Sequence, residues 1–169
     1  SLIIASLMFP VFSTIIPVFQ MLSAINVTDS PVGVILPQIA GNLSFAMVIL
    51  MGYIRSLPVD LEESAFLEGC NVFQVFYKVI LPVCRPAFAT VAIFSFLWSY
   101  NDLFTQLFFL RSPEKWTITR FLNEVSSQFG TDYGMMCAVV TLIFVPVMIV
   151  YVFLQKNIIK GLTAGAIKG

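Results

Sequence analysis

Histidine is absent from this 169-residue chain, and charged residues make up only 11% of it. Without histidine, imidazole acid–base catalysis and histidine-ligated metal sites are excluded. Soluble domains carry about 25% charged residues, so a water-exposed globular domain is not expected. The formal net charge is zero, which argues against a nucleic-acid partner, because phosphate binding needs clustered lysine and arginine. With 59% hydrophobic residues, the chain is predicted to be embedded in a membrane.

Cysteine is also scarce, and its placement suggests packing rather than chemistry. Cys70, Cys84 and Cys137 lie far apart and lack the spacing of metal ligands, so we interpret them as free thiols. No metal site is expected, and no catalytic residue, because no nucleophile–base set is present. The chain also lacks the phosphate loop G-x-x-x-x-G-K-S/T. We therefore expect no cofactor in this chain, and any energy from ATP must come from another subunit.

Four apolar runs are long enough to cross a membrane, and the only charge within them is Asp102. The spans are predicted at about 1–24, 32–54, 86–106 and 133–155. A helix needs about 20 apolar residues to cross the hydrocarbon core, and the runs lack the strict alternation of barrel strands. The predicted fold class is therefore all-α, a polytopic membrane helical bundle with four spans. Because Ser1 lies inside an apolar run without a basic flank, we interpret the chain as a fragment.

Lysine and arginine are unevenly distributed between the two sides of this bundle. One side carries six of them, namely Arg55, Lys78, Arg85, Lys156, Lys160 and Lys168. The other side carries three, namely Arg111, Lys115 and Arg120. The richer side is expected to face the cytoplasm. This orientation places loop 55–85 and tail 156–169 in the cytoplasm and loop 107–132 outside. The expected location is the cytoplasmic (inner) membrane, as a multi-pass protein.

Loop 55–85 has its own helix start and stop signals. Two short helices are predicted, over 58–69 and 71–81. Gly69 suits the left-handed residue that ends a helix, and Asn71 with a glutamine three residues later forms a capping-box pattern. The first helix is acidic, whereas helices that lie on lipid headgroups are usually rich in lysine and arginine. A protein-docking helix–turn–helix is therefore favoured over a purely lipid-lying one.

The same loop resembles the cytoplasmic EAA loop of ABC-importer permeases. The resemblance rests on Glu63-Ser64-Ala65, then Gly69, then Val79-Ile80-Leu81-Pro82, with every spacing kept. Ser64 and Val79 depart from the family pattern conservatively. The resemblance implies that this loop couples to an ATPase subunit, with Glu63 as the acidic anchor. The implied coupling residues are Glu63, Ser64, Ala65, Phe66, Gly69, Leu81 and Pro82.

Two further segments resemble the maltose-type carbohydrate permeases of that group. They are 93–102, which ends in Trp98-Ser99-Tyr100-Asn101-Asp102, and the tail 161–169. The resemblance implies the transmembrane domain of a type I ABC importer without its first two spans. It also implies carbohydrate import with a second permease subunit, an extracytoplasmic solute-binding protein and an ABC ATPase dimer that binds ATP and Mg. The tail, through Gly161, Leu162 and Gly165, would contact the ATPase a second time.

Polar residues within the spans are candidates for the solute pathway, namely Asn42, Ser44, Trp98, Asn101 and Asp102. Asn42 and Ser44 either hydrogen-bond a sugar or join helices, and the second interpretation is favoured. Asp102 either lines the outer mouth or marks the outer end of its span, with 103–110 re-entrant or surface-lying. In the outer loop, apolar residues at helical spacing predict a short surface helix; they are Ile118, Leu122, Val125 and Phe129.

Other functional classes stay open at this point. The solute of such an importer could instead be a glycerol phosphate or an amino acid. An ion-coupled secondary transporter would need ionisable residues within its spans, and Asp102 alone qualifies. A membrane scaffold without a transport role is the third alternative, against which the docking loop argues.

Overall fold

The computed structural model describes residues 2–128 and 133–166 of the chain. All regular elements in this part are helical, so the predicted all-α class is confirmed. The α-helices are α1 Leu2–Ala5, α2 Val11–Ala24, α3 Pro31–Ser56, α4 Asp60–Leu67, α5 Val72–Val75, α6 Leu81–Val83, α7 Arg85–Asn101, α8 Leu103–Phe109, α9 Ile118–Gln128 and α10 Tyr133–Ala166. Short 3₁₀ turns cover Ser6–Met8 and Pro113–Lys115, and a π-helical turn covers Phe76–Ile80.

Two described helices are long and apolar enough to cross a membrane alone, at Pro31–Ser56 and Tyr133–Phe153. A third candidate is the pair Val72–Val83 and Arg85–Asn101, which is bent by 63° at the break between its helices. The apolar helix Phe12–Ala24 is shorter. The four spans therefore stay a prediction, of which the second and fourth correspond to single long helices.

The first expected span, 1–24, is interrupted near its start. The 3₁₀ turn after α1 ends at Met8, the following Phe9 is extended with ψ of 127°, and α2 begins only after Pro10. Proline has no N–H for the helix ladder and disfavours the helical conformation in the residue before it. The break is the local consequence of Pro10, whereas Pro17 lies inside α2.

The end of the bundle that is predicted to face outward is organised around a tight α2–α3 connection. Ser30 caps α3 by accepting a hydrogen bond from Gly33 N at 3.2 Å. A Cβ at Gly33 would overlap the carbonyl oxygen of Val27, so glycine is needed for this close approach. Beneath the connection a small core is buried, consisting of Leu22, Val34, Phe109 and Leu110.

Helix α10 is the longest element and packs chiefly on α7 and α9. The Tyr100 hydroxyl donates to Ile143 O at 3.2 Å and joins α7 to α10. The short helix predicted in loop 107–132 is present as α9, with Val125 only 1% exposed. Phe129 of the predicted apolar face lies outside the described residues, and the place of this helix on the outer side of the membrane stays a prediction. At 34 residues, α10 is about 50 Å long, longer than the hydrocarbon core of about 30 Å. It therefore continues past the expected boundary at 155 into the tail.

Candidate functional site

The first candidate surface is the helical segment 57–84, called the docking segment below. Helix α4 begins at Asp60, two residues later than predicted, with three acidic residues in its first turn. At its end Gly69 N donates to Phe66 O at 3.0 Å and Cys70 N donates to Ala65 O at 3.1 Å. This pair of bonds is a Schellman motif, which places a residue in the left-handed region. Gly69 takes that place with φ of 83°, as the sequence predicted.

The second helix of the docking segment begins with the predicted capping box. Gln74 N donates to Asn71 Oδ1 at 3.0 Å, and Asn71 N donates to Gln74 Oε1 at 2.9 Å. Helix α5 then widens into the π-helical turn, where Leu81 N donates to Phe76 O. Pro82 explains the widening, because its ring would clash with the carbonyl of residue 78 in a regular α-helix. A continuous helix over 71–81 was predicted here, so the π-helical turn at Phe76–Ile80 was not anticipated.

One face of the docking segment is buried in a local core, to which α3 contributes Tyr53. Its core consists of Ala65, Val75, Ile80 and Cys84, with Tyr53, Leu57, Cys70 and Val79 packed against it. The Tyr53 hydroxyl donates to Val83 O at 3.3 Å and links α3 to the end of the segment. Among the coupling residues implied by the resemblance, Ala65 is therefore an internal packing residue. Burial also raises the pKa of the Cys84 thiol.

The opposite face is exposed, apolar and acidic at once. Glu63, Ser64 and Pro82 are exposed, Phe66 is 47% exposed and Leu81 is half-buried. The same segment exposes further apolar side chains, namely Val59, Leu67, Val72, Phe73 and Tyr77. Leu67, at 90% exposure, was missed by sequence reasoning, although its place two residues before Gly69 puts it at the helix end. So many exposed large apolar side chains within one short segment are typical of a protein-docking surface.

A second candidate site is an open groove between α3 and α7, called the polar groove below. Its volume is about 430 Å³, and its lining consists of Ile35, Gln38, Ile39, Asn42, Leu43, Ala46, Ser95 and Ser99. Of the predicted pathway residues, only Asn42 lines it. Sequence reasoning missed Gln38, Ser95 and Ser99. A pattern in the sequence could have identified them, because Gln38 lies four residues before Asn42 and Ser95 lies four residues before Ser99. Each pair falls in an apolar run and so lies on one face of its helix.

Asp102 lies at the break between α7 and α8, beside the polar groove. Its Oδ1 accepts from Thr105 N at 3.1 Å and caps α8, and its Oδ2 accepts from Gln38 Nε2 at 3.0 Å. Helix α7 therefore ends at Asn101 rather than continuing to 106, because the carboxylate starts a new helix. The position agrees with the interpretation of Asp102 as the end of the span.

The remaining predicted pathway residues contact protein. Ser44 is 2% exposed, and its hydroxyl lies 2.6 Å from that of Ser6 and donates to Ile3 O at 2.5 Å. Trp98 packs edge-on against Phe45, with ring centroids 4.6 Å apart. Asn101 donates back to Leu97 O at 2.8 Å. These contacts join or terminate helices, as the packing interpretation of Ser44 expected.

Asp29 holds the outer connections together. Its Oδ1 accepts from Arg111 N at 2.8 Å and Ser112 N at 3.0 Å, and its Oδ2 accepts from Ser112 Oγ at 2.5 Å and Lys115 Nζ at 3.1 Å. The Ser112 hydroxyl, the two backbone amides and Lys115 together hold the pKa of this carboxyl well below its usual range. We call this arrangement the Asp29 clasp. No cluster of potential metal ligands occurs in the described part of the chain.

The tail lies partly beyond what the structure describes. The backbone of Gly161, Leu162 and Gly165 belongs to α10, whereas their side-chain environment and residues 167–169 are outside the described residues. Their contact with an ATPase therefore stays a prediction.

Comparison with known proteins gives a consistent result. Residues 1–164 match the family described as binding-protein-dependent transport system inner membrane component. The chain is 34% identical, over its full length, to a putative ABC transporter permease protein of a Caldicellulosiruptor species, of which it covers 62%. It is 34% identical over 99% of its length to the arabinooligosaccharides transport system permease protein of Bacillus subtilis, covering 59% of that protein. It is 36% identical over 96% of its length to the trehalose transport system permease protein of Mycobacterium tuberculosis, covering 60% of it. The chain thus spans about three fifths of these relatives.

Proposed function

The chain belongs to the family of binding-protein-dependent transport system inner membrane components, and we propose that it is the permease subunit of an ATP-driven carbohydrate importer. The relatives that are named for arabinooligosaccharides and trehalose support a carbohydrate as the solute. The protein would work in the cytoplasmic membrane with a second permease subunit and an extracytoplasmic solute-binding protein. ATP and Mg would be bound by the partner ATPase dimer.

The observation that carries this proposal is the two-faced docking segment. Its inner face packs on Tyr53 near the end of α3, and its outer face exposes Phe66, Leu67 and Glu63. A partner that binds the outer face can transmit its movement to α3 through the packing of the inner face on Tyr53. An ion-coupled carrier would have no use for such a surface.

In the proposed mechanism, closure of the ATPase dimer displaces the docking segment as a unit. The displacement reaches α3 directly and reaches α7 through the 63° bend after Val83. Because α3 and α7 border the polar groove, their relative movement changes access to it. The tail residues Gly161, Leu162 and Gly165 would make a second contact with the ATPase.

Charge reversal at Glu63 tests the coupling. In the full-length protein within its complex, Glu63→Lys should lower sugar transport at least about tenfold, because a like-charged or unpaired residue in an interface is costly. Transport and ATP hydrolysis stimulated by the binding protein are measured together in proteoliposomes. Glu114→Lys, the same charge change at an exposed residue of the outer loop, is the matched control. Normal transport by Glu63→Lys would refute the anchor role of Glu63.

A further inference from the structure

The carbonyl of Val83 lies at the bend between the docking segment and α7, outside the hydrogen-bond ladder of either helix. In an uninterrupted helix it would accept from Ala87 N. Helix α7 instead begins at Arg85, and its first ladder bond runs from Phe88 N to Cys84 O at 3.0 Å. Ala87 is fully buried, and no acceptor for its N–H occurs among the residues that the structure describes. The bend therefore keeps the donor and the acceptor of one ladder bond apart.

Two prolines four residues apart make this bend easy. Pro82 has no N–H to donate to the carbonyl of residue 78, and Pro86 has none to donate to the carbonyl of Pro82. A straight helix would consequently gain few hydrogen bonds over the bent one. The bend of 63° is well above about 20°, beyond which helix kinks are caused by proline or by a side chain inserted into the ladder. Both causes are present here.

The inserted side chain is Tyr53 of α3, whose hydroxyl donates to Val83 O at 3.3 Å. Within the described ranges, no other side-chain hydrogen bond joins α3 to the docking segment. The Tyr53 ring packs against the core that contains Ile80 and Cys84, so the ring holds the hydroxyl at the bend. The hydrogen bond is long for a hydroxyl donor, and it can therefore be exchanged for another at low cost.

We propose that Val83 O is a two-way acceptor and that Tyr53 is the positioning residue that holds the docking segment at its angle to α7. In the bent form the carbonyl accepts from Tyr53, an arrangement that we call the Tyr53 latch. When the partner ATPase displaces the docking segment, the latch opens, and the carbonyl accepts from Ala87 N as the helix straightens. The proposal rests on the proposed function, because it names the contact that the movement of the ATPase has to break.

Tyr53→Phe tests the latch, since it keeps the ring in its core and removes only the hydroxyl. Hydrogen exchange at the Ala87 amide is measured in the purified, nucleotide-free complex built with the full-length protein. Without the hydroxyl the straight form gains population, so the Ala87 amide should exchange about threefold more slowly. A change that only loosened the protein would have the opposite sign, because local opening speeds exchange. Equal or faster exchange at Ala87 would overturn the proposal.

Tyr100→Phe is the matched control. The Tyr100 hydroxyl also donates to a backbone carbonyl of another helix, Ile143 O at 3.2 Å, but it lies near the other end of α7. This variant should leave exchange at Ala87 unchanged. A slowing as large as that in Tyr53→Phe would show that the loss of any such tyrosine bond has the same effect, and it would refute the latch.

Pro86→Ala tests the bend independently of Tyr53. It supplies the N–H that the Pro82 carbonyl lacks and so favours the straight helix. Exchange at the Ala87 amide should again become slower, although the Tyr53 hydroxyl is still present. Unchanged exchange in this variant would contradict the two alternative partners of Val83 O.

A further measurement connects the latch to the ATPase. In the unmodified complex, a non-hydrolysable ATP analogue should slow exchange at Ala87 about as much as Tyr53→Phe does, because the displaced segment releases the carbonyl. In Tyr53→Phe the analogue should add little, since the bond is already absent. No effect of the analogue on the unmodified complex would refute the release step. A complex whose Ala87 exchange behaves as predicted but which imports no carbohydrate would refute the proposed function and not the latch.

Discussion

At the scale of single residues, Asp29 concentrates several polar contacts at the α2–α3 connection. Its φ of 54° lies in the left-handed region, which aspartate and asparagine tolerate better than most residues. Its folded pKa is lowered, first by the Ser112 hydroxyl and then by the backbone amides of Ser112 and Arg111. A group with a lowered folded pKa stabilises the fold above its unfolded pKa and loses that contribution as the pH falls through the folded value. The contribution of the clasp to stability should therefore not change with pH near neutrality, and it should be lost only in strong acid, where Asp29 becomes protonated.

We predict that Asp29→Asn loosens the clasp already at neutral pH. The amide keeps the tolerance for the left-handed conformation but replaces charge-assisted hydrogen bonds with weaker neutral ones. Hydrogen exchange at the amides of Arg111 and Ser112 should become several-fold faster than in the unmodified chain.

Glu68→Gln, an exposed carboxylate at the other end of the molecule, serves as the control and should leave these two amides unchanged. Equal protection in Asp29→Asn would show that the clasp depends on the backbone alone.

The structural role of a residue could be predicted from the sequence where a local motif requires that residue type. It was predicted less well where the role depends on packing between helices. Gly69 and Asn71 were identified because a left-handed turn and a capping box each demand particular residues. The burial of Ala65 and the hydrogen bond from Gln38 to Asp102 were not predicted. Both depend on which face of the helix that carries the residue packs against the rest of the protein. Spacing along one chain does not contain that information.

At the scale of elements, the turn between α4 and α5 fixes how the docking segment presents its exposed face. Gly69 has φ of 83°, and a Cβ added there would meet no atom within 4 Å, so the constraint at this residue is conformational rather than steric. We predict that Gly69→Val weakens the turn by about 1–2 kcal/mol, the cost of the left-handed region for a residue with a Cβ. Gly69→Asn should cost less, since asparagine visits this region more readily.

ATP hydrolysis stimulated by the binding protein, measured in the complex, should fall for Gly69→Val and be largely kept for Gly69→Asn. Gly41→Ala, in α3 where the space is equally open, is the control for a glycine without a special φ. Equal effects of valine and asparagine would contradict the conformational explanation.

The presence of the long helices could be predicted from the apolar runs, whereas some of the breaks within these runs could not. The outer helix α9 follows from its apolar spacing. The end of α7 at Asn101 corresponds to one of the two alternatives weighed for Asp102, whereas the π-helical turn before Pro82 was missed. Each break depends on how one polar or cyclic side chain disturbs the hydrogen bonds of the helix. At Asp102 the carboxylate ends α7, because it caps α8 and accepts a hydrogen bond from Gln38.

At the scale of the whole molecule, the orientation in the membrane stays a prediction from a six-to-three distribution of lysine and arginine. Single cysteines at Asn71 and Lys168 should be labelled only from the cytoplasmic side, and one at Glu114 only from outside. Labelling uses an impermeant reagent on intact cells and on inverted vesicles, in a background without the native cysteines. Cys84 can be kept if its removal destabilises the chain, because it is 2% exposed and its thiol pKa is raised. The reverse pattern would invert the proposed topology.

The core of the docking segment has a consequence for how such proteins diversify. Every side chain in that core and every one packed on it comes from residues 53–84, so the segment is nearly self-contained. Under the proposed docking role, exchanging this segment between relatives would change which ATPase is bound, while α3 and α7 keep their own neighbours. The choice of ATPase and the choice of solute could then change independently of each other during evolution.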